Sequence, residues 1–323
     1  MKNLGMLTLH NEEVRIEIDP GRGADILSIK HLGTGVELLF STPWRKRADA
    51  IRTGDTELTS LDPTAIWLEG YRGGWQTLLP NAGAARKFGE VVVGFHGEAS
   101  VINWEVEEVG INHARLSARL FSVPIAVERN ISLRGSRIEF IDTLRNFGIA
   151  PQEFDYVSHA AFGGQFLEGE CKIDTGASRF VLDPEHNGSL GEAGSVHEWP
   201  LLRGVNATVL DLSAIPDSST PQALLGWLEN FSDYWISIVN STLALSILLE
   251  WDGKYLPFAW LWEELNGSAE FPWFGQARVI GTEPASTQTS GPMRRSVINL
   301  LPGESISIPI SLTIKSEPLG DAK

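Results

Sequence analysis

Cysteine is nearly missing from this sequence, in which Cys171 is the only cysteine among 323 residues. A single cysteine excludes an internal disulfide and any metal site that is built from several cysteines. No recognisable motif surrounds Cys171, so we expect a small thiol that is packed in the protein interior.

Basic residues and long apolar runs are also scarce. The 26 Lys and Arg residues stand against 41 Asp and Glu residues, which gives a net charge of −15. This charge disfavours nucleic acids and anionic membranes as partners. The apolar run at 243–249 is too short to span a bilayer, and the N-terminal MKNLGMLTLHNEEVRIEID has no sustained apolar segment. We therefore expect a cytoplasmic protein without a signal peptide, and the oligomeric state stays open.

Helical periodicity is weak, and alternation with a period of two residues dominates instead. Val14, Ile16 and Ile18 alternate with charged residues, and the segment ISIPISLTI at 306–314 repeats this pattern. Such alternation is typical of half-buried strands. The 32 glycines and 17 prolines leave room for few helices. We predict an all-β protein, a large antiparallel β-sandwich that forms one domain over residues 1–323.

Two further features refine this fold prediction. No alternation of strands and helices is visible, so a dinucleotide-binding Rossmann fold is not expected. The segment 182–203, with its clustered Gly, Glu, His and Pro, is predicted to be a long surface loop.

Three side chains stand at the ends of predicted strands in unusual settings. His96 lies between Gly94-Phe95 and Gly97, His159 follows an apolar and aromatic run, and Glu283 is followed by a proline. Binding groups are often mounted at strand ends of a rigid sheet. Each residue also has a simpler interpretation: a hairpin cap for His96, a core histidine for His159, and an exposed turn carboxylate for Glu283.

Several short motifs together resemble the galactose mutarotase-like superfamily, and specifically its aldose 1-epimerases. They occur in the family's order over nearly the whole chain. The matching pieces are Pro80-Asn81-x-Gly83, Phe95-His96-Gly97 with Trp104 downstream, Glu128-Arg-Asn-Ile131, His159-x-x-Phe162, Gly281-x-Glu283-Pro284 and Leu301-Pro-Gly-Glu304.

The resemblance implies a large β-sandwich with a sugar-binding cleft on one sheet. It further implies that Glu283 is the catalytic base, that His159 is the acid, and that His96 and Asn81 contact the sugar. The implied reaction interconverts the α and β anomers of a hexose or related aldose. It needs a small-molecule sugar and no metal, nucleotide or redox cofactor.

The sequence departs from the family pattern at two positions. Ser100 stands near a position where many relatives have arginine, and Ser158 stands where many have asparagine before the histidine. Arg72, Arg86 or Lys87 is expected to supply a replacement cation, and Arg72 is our choice for the substrate site.

Tryptophan is abundant, with 11 residues in the chain. Aromatic rings pack against the apolar face of sugars, although any single tryptophan can equally belong to the core. The candidates are Trp75, Trp104, Trp260, Trp262 and Trp273, of which we assign Trp75 and Trp262 to the substrate site.

Rival functions remain open at this point. A non-catalytic carbohydrate-binding protein would need the aromatic rings without an acid–base pair. A hexose-6-phosphate 1-epimerase would need a cationic pocket, and a glycosidase would need two carboxylates that flank the scissile bond. A metal enzyme would need closely spaced ligands, and no such motif is present.

Overall fold

Strands form most of the protein, and helices are few. The computed structural model describes residues 5–185, 190–204, 208–292 and 294–316. The strands in these ranges are β1 Leu7–His10, β2 Val14–Asp19, β3 Asp25–His31, β4 Trp75–Leu78, β5 Arg86–Phe88, β6 Val91–Val93, β7 Glu105–Val109, β8 His113–Arg119, β9 Ile125–Arg134, β10 Arg137–Asn146, β11 Gln152–Glu153, β12 Val157–Gly163, β13 Cys171–Leu182, β14 Val196–Glu198, β15 Leu201–Arg203, β16 Val209–Asp211, β17 Ala214–Ile215, β18 Gln222–Asn240, β19 Leu245–Trp251, β20 Phe258–Leu265, β21 Arg278–Ala285, β22 Asn299–Leu300 and β23 Ser305–Ser316. The helices are α1 Arg45–Thr53 and α2 Pro63–Gly70, with a short 3-10 helix at Gly164–Leu167. This content confirms the prediction of an all-β protein.

The strands form two antiparallel layers. The first layer runs in the order β7–β8–β9–β10–β23–β19. The second layer runs in the order β20–β21–β12–β4–β3–β2–β1. The predicted antiparallel β-sandwich is therefore confirmed.

Two long strands belong to both layers. The first part of β18 pairs with β20 of the second layer, and its last part pairs with β19 of the first layer. Asn230 lies between the two parts with φ of 57°, a left-handed conformation that asparagine tolerates better than most residues. β13 follows β18 through this bend, with an irregularity in its own pairing between Thr175 and Ala177.

The main core lies between the layers. In β12, Ala160 and Phe162 face this core, while Val157 and Ala161 belong to a second apolar cluster on the opposite face. We call that opposite face of the second layer the outer face. Strand alternation thus divides β12 between two buried surfaces.

Two helices between β3 and β4 pack near the outer face. α2 begins where the Asp62 carboxylate accepts hydrogen bonds from the backbone N–H of Thr64 and Ala65, with Pro63 in the first turn. These are favourable residues for a helix start. α2 places Trp67 in the outer-face cluster. No helix in the described ranges is long and apolar enough to cross a membrane.

A buried ion pair joins the two layers. Arg129 on β9 and Asp142 on β10 lie 2.6 Å apart, and both side chains are almost fully buried. Arg129 also donates to Thr77 Oγ1 on β4, and the Tyr156 hydroxyl donates to Asp142 at 2.7 Å. The pair therefore fixes the second layer against the first through hydrogen bonds as well as charge.

The prediction of a surface loop at 182–203 is wrong for the second half of this segment. Val196–Glu198 forms β14, which pairs with the end of β13, and Leu201–Arg203 forms β15, which pairs with β16. Leu202 is fully buried, so apolar burial organises a segment whose composition predicts a loop. Residues 186–189 of this segment lie outside the described ranges.

Glu263 lies on β20 between Leu261 and Leu265, and its carboxyl group faces the main core. Its side chain accepts a hydrogen bond from Gln222, and burial raises its pKa to about 7. A raised pKa means that the folded state favours the protonated group, so stability is lost as pH rises from 4.5 to about 7.

Glu263→Gln should therefore stabilise the protein at pH 8 by up to about 3 kcal/mol, because each pKa unit corresponds to about 1.4 kcal/mol. At pH 4.5 or below the two proteins should have nearly equal stability. Urea unfolding at both pH values measures this difference. A stability difference that stays the same at both pH values would contradict the prediction.

Candidate active site

The pairing register assembles a row of four side chains on the outer face. Trp260 pairs with Glu283, and Gln76 pairs with His159. Between β12 and β21, Val157 pairs with Ala285 and Ala160 pairs with Thr282. This register places His159 opposite Glu283. Cross-strand neighbours on one face lie close together, so Trp260, Glu283, His159 and Gln76 form one line across four strands.

His159 and Glu283 are in near contact. The distance from His159 Nε2 to Glu283 Oε1 is 3.6 Å, and the side chains are only 6% and 2% exposed. Burial lowers the pKa of His159 to about 4 and raises the pKa of Glu283 well above its ordinary value, because a buried site disfavours the charged forms. Both shifts favour the neutral forms of the two side chains over an ion pair.

His96 joins this pair from a loop. Its backbone has φ of 61°, its N–H donates to the Gly83 carbonyl, and its Nδ1 accepts from the Gly83 N–H at 3.0 Å. The ring is 5.5 Å from that of His159. His96 thus makes the backbone contacts expected of a cap and also lines the cavity, with its ring proton on Nε2.

A cavity of about 290 Å³ opens above the row. Its aromatic wall consists of Trp67, Tyr71, Phe95, Trp260, Trp262 and Trp273. The polar groups among the described lining residues include His96, His159, Glu283, Glu185 and Ser290. Apolar walls with a few convergent polar groups are typical of small-molecule sites.

Four of the predicted site residues line this cavity: His96, His159, Glu283 and Trp262. Asn81 lies behind the wall, where its amide donates to the Gly94 carbonyl at 2.9 Å. Asn81 therefore supports the loop that carries His96.

Trp75 and Arg72 lie away from the cavity, contrary to the sequence prediction. Trp75 points into the core, where its ring centroid is 5.0 Å from that of Phe140 and its Nε1 donates to Ser158 Oγ. Arg72 is 3% exposed and forms an ion pair with Asp19 at 2.7 Å. Its charge is neutralised by this carboxylate.

The other candidate cations and one candidate tryptophan also lie away from the cavity. Arg86 pairs with Asp155, and Lys87 is largely exposed near Glu90. Trp104 is fully buried in the main core. The described lining residues of the cavity include neither lysine nor arginine.

Sequence reasoning missed Trp67 and Tyr71. The rings stack at 4.8 Å, and both make edge contacts with His159. Their spacing of four residues, after the Asp62-Pro63 helix start, is the local signal that predicts a shared helix face.

Arg294 is a third residue that the sequence did not reveal. Its guanidinium donates to Asp155 at 2.7 Å, to the Gly291 carbonyl at 2.8 Å and to the Ala84 carbonyl at 2.7 Å. Because Gly291 and Ala84 both line the cavity, Arg294 holds two of its walls together. The described part of the chain contains no cluster of three or more His, Cys, Asp or Glu side chains that could hold a metal ion.

Sequence comparisons find no relative: no protein-family model and no curated protein matches the chain. Solved structures are similar over nearly its whole length. A candidate aldose 1-epimerase from Escherichia coli K12 has a TM-score of 0.68 at 16% identity, with 97% of this chain and 99% of that chain covered. A galactose mutarotase related enzyme from Lactobacillus acidophilus has a TM-score of 0.66 at 15% identity, with 97% and 98% covered.

A galactose mutarotase-like protein from Clostridium acetobutylicum has a TM-score of 0.67 at 14% identity, with 98% of this chain and 100% of that chain covered. The fold is that of the galactose mutarotase-like proteins. The fold that the motif resemblance implied is therefore confirmed. At these identities the likeness concerns the fold, and function has to be argued from the site.

Proposed function

We propose that the protein is an aldose 1-epimerase that interconverts the α and β anomers of an unphosphorylated aldose. The observation that carries this proposal is the 3.6 Å approach of His159 Nε2 and Glu283 Oε1 in the wall of an aromatic cavity. The two oxygens that exchange protons in a cyclic hemiacetal are bound to the same carbon. Two proton-transfer groups that serve them must therefore lie close together, as these groups do.

The chemistry needs one proton shared by the pair. In the reactive state this proton is on His159 and Glu283 is ionised, which a bound sugar favours because its hydroxyl groups solvate the carboxylate. Glu283 then accepts the proton of the anomeric hydroxyl while His159 protonates the ring oxygen, and the ring opens to the aldehyde. Rotation about the C1–C2 bond and the reverse proton transfers close the other anomer. Over one reaction cycle, Glu283 and His159 each accept a proton once and donate a proton once.

The cavity walls suit a neutral sugar. Trp262 and Trp260 line the cavity and suit the apolar side of the ring, and His96 lines it with its Nδ1 bound to the Gly83 N–H. A phosphorylated sugar would meet Glu185 and Glu283, with no lysine or arginine among the described lining residues. Repulsion without a compensating cation favours the unphosphorylated substrate.

An anomerisation screen tests this function. Pure α anomers of several aldoses and of one hexose 6-phosphate are followed by polarimetry or NMR with and without protein. We expect at least one free aldose to equilibrate faster with the protein, and the phosphate to respond less. Binding without any acceleration would contradict the proposal and favour a carbohydrate-binding protein.

The pH dependence follows from the buried imidazole. Because the pKa of His159 is about 4, its neutral form persists as the pH falls from 7 to 5.5. We expect kcat/KM to stay within about twofold over this range. An imidazole with its ordinary pKa of about 6.5 would instead lose about tenfold. Initial rates of anomerisation measure the profile, with circular dichroism at each pH as the control for folding.

A further inference from the structure

The Tyr71 hydroxyl is a buried polar group that the proposed mechanism does not yet use. Tyr71 is 3% exposed and lines the cavity, and its hydroxyl has no hydrogen-bond partner. A buried hydroxyl without a partner is costly. The ring is held by the stack on Trp67 and by the perpendicular contact with His159 at 5.9 Å. The hydroxyl is thus kept in place without a protein group to bind.

One carboxylate oxygen of Glu283 is in the same situation as the Tyr71 hydroxyl. Its Oε2 is buried and also has no partner, while Oε1 faces His159. Both groups lie beside His159, whose ring centroid is 5.9 Å from that of Tyr71 and whose Nε2 is 3.6 Å from Glu283 Oε1. Burial, and then the Glu283 charge, raises the pKa of Tyr71 well above its ordinary value. Tyr71 therefore remains a donor, and Oε2 is an acceptor.

One sugar hydroxyl between these groups would satisfy both of them. It would accept from the Tyr71 hydroxyl and donate to Glu283 Oε2. We propose that Tyr71 is a third catalytic residue, whose hydroxyl donates a hydrogen bond to the anomeric oxygen while Glu283 exchanges that oxygen's proton. This inference rests on the proposed function.

The step balances with the groups already named. The anomeric O–H bond breaks and its proton goes to Glu283, while the bond between C1 and the ring oxygen breaks and its electron pair takes the proton of His159. A C1–O1 double bond forms from the electrons of the broken O–H bond. Negative charge builds on O1 during this transfer, and a donor aimed at O1 stabilises it.

Asp25 offers a competing, purely structural role for Tyr71. Its Oδ1 is buried without a partner, its charge also acts on Tyr71, and it lies 3.7 Å from Arg72. If Tyr71 served only to complete this buried network, Asp25→Asn should reproduce the effect of removing the hydroxyl. Asp25 is therefore the matched control site.

The experiment compares Tyr71→Phe, Asp25→Asn and the wild type on the aldose that the wild type converts fastest. We expect Tyr71→Phe to lower kcat by about 10²-fold, the range for loss of one such donor, and Asp25→Asn to stay within about threefold. The probe for O1 is the 1,5-anhydroalditol of the same sugar, which has the ring but lacks O1. Its inhibition constant should be the same for Tyr71→Phe and the wild type.

The outcomes separate this inference from the proposed function. A Tyr71→Phe protein within threefold of the wild-type rate would overturn the inference alone, as would equal losses in both variants or weaker binding of the anhydroalditol. A wild type that accelerates no anomerisation would overturn both proposals. Should Tyr71→Phe not fold, the wild type decides the question: it must bind the aldose more tightly than the anhydroalditol, and equal affinities would overturn the inference.

Discussion

Glu283→Gln is expected to lower kcat for anomerisation by about 10²–10⁴-fold, because the amide keeps the shape of the side chain but cannot accept a proton. This loss corresponds to about 3–5 kcal/mol of transition-state stabilisation. KM should change much less, since the aromatic walls and His96 still hold the ground state. Initial rates by polarimetry over a range of sugar concentrations separate the two constants.

Glu185→Gln is the matched control for this variant. Glu185 also lines the cavity but is exposed and lies away from the row of paired strands. Its substitution should leave kcat within about twofold. Near-normal turnover by Glu283→Gln would exclude Glu283 as the base, and an equal loss in Glu185→Gln would point to a reaction that uses two carboxylates.

Asp142→Asn is expected to destabilise the protein by about 3–5 kcal/mol, because it leaves the buried Arg129 guanidinium without its counter-charge. Arg129 is 2% exposed, so water cannot replace the carboxylate. Urea unfolding gives the free energy of unfolding. The same substitution also weakens the acceptor of the Tyr156 hydroxyl.

The double variant Arg129→Met/Asp142→Leu provides the control. It removes both charges, so its cost should be clearly smaller than that of Asp142→Asn. A double-mutant cycle isolates the coupling of the pair. If Asp142→Asn proved as stable as the wild type, the pair would not hold the layers together.

Local patterns in the sequence were enough to predict the fold class and the strands that carry the candidate site. Period-two alternation marks strands such as β2 and β23, and the motif order marks His159 and Glu283. The meeting of these two residues was not derivable from local pattern, because it depends on the pairing of β12 with β21 across more than a hundred residues. The shared strand-end setting and the family resemblance together predicted it, and no local signal encodes a pairing of that range.

The misplaced residues have physical reasons. All four residues of β4 are buried, so neither face of this strand is marked by polarity, and Trp75 faces the core while Gln76 faces outward. The position of the Arg72 side chain depends on its ion pair with Asp19, which is more than fifty residues away in the sequence. No role for Arg129 beyond its place in a motif could be predicted from the sequence, because its partners Asp142 and Thr77 lie on two other strands, β10 and β4.

The sharing of β13 and β18 by both layers has a consequence for local motion. A fluctuation that frees β18 removes a neighbour from β20 and from β19 at once. Opening of either layer is thereby tied energetically to the other, and subglobal unfolding of one layer alone is disfavoured. Since β20 carries Trp260 beside Glu283, the proposed acid–base pair is protected by strand pairing on the far side of the molecule as well as by its own sheet.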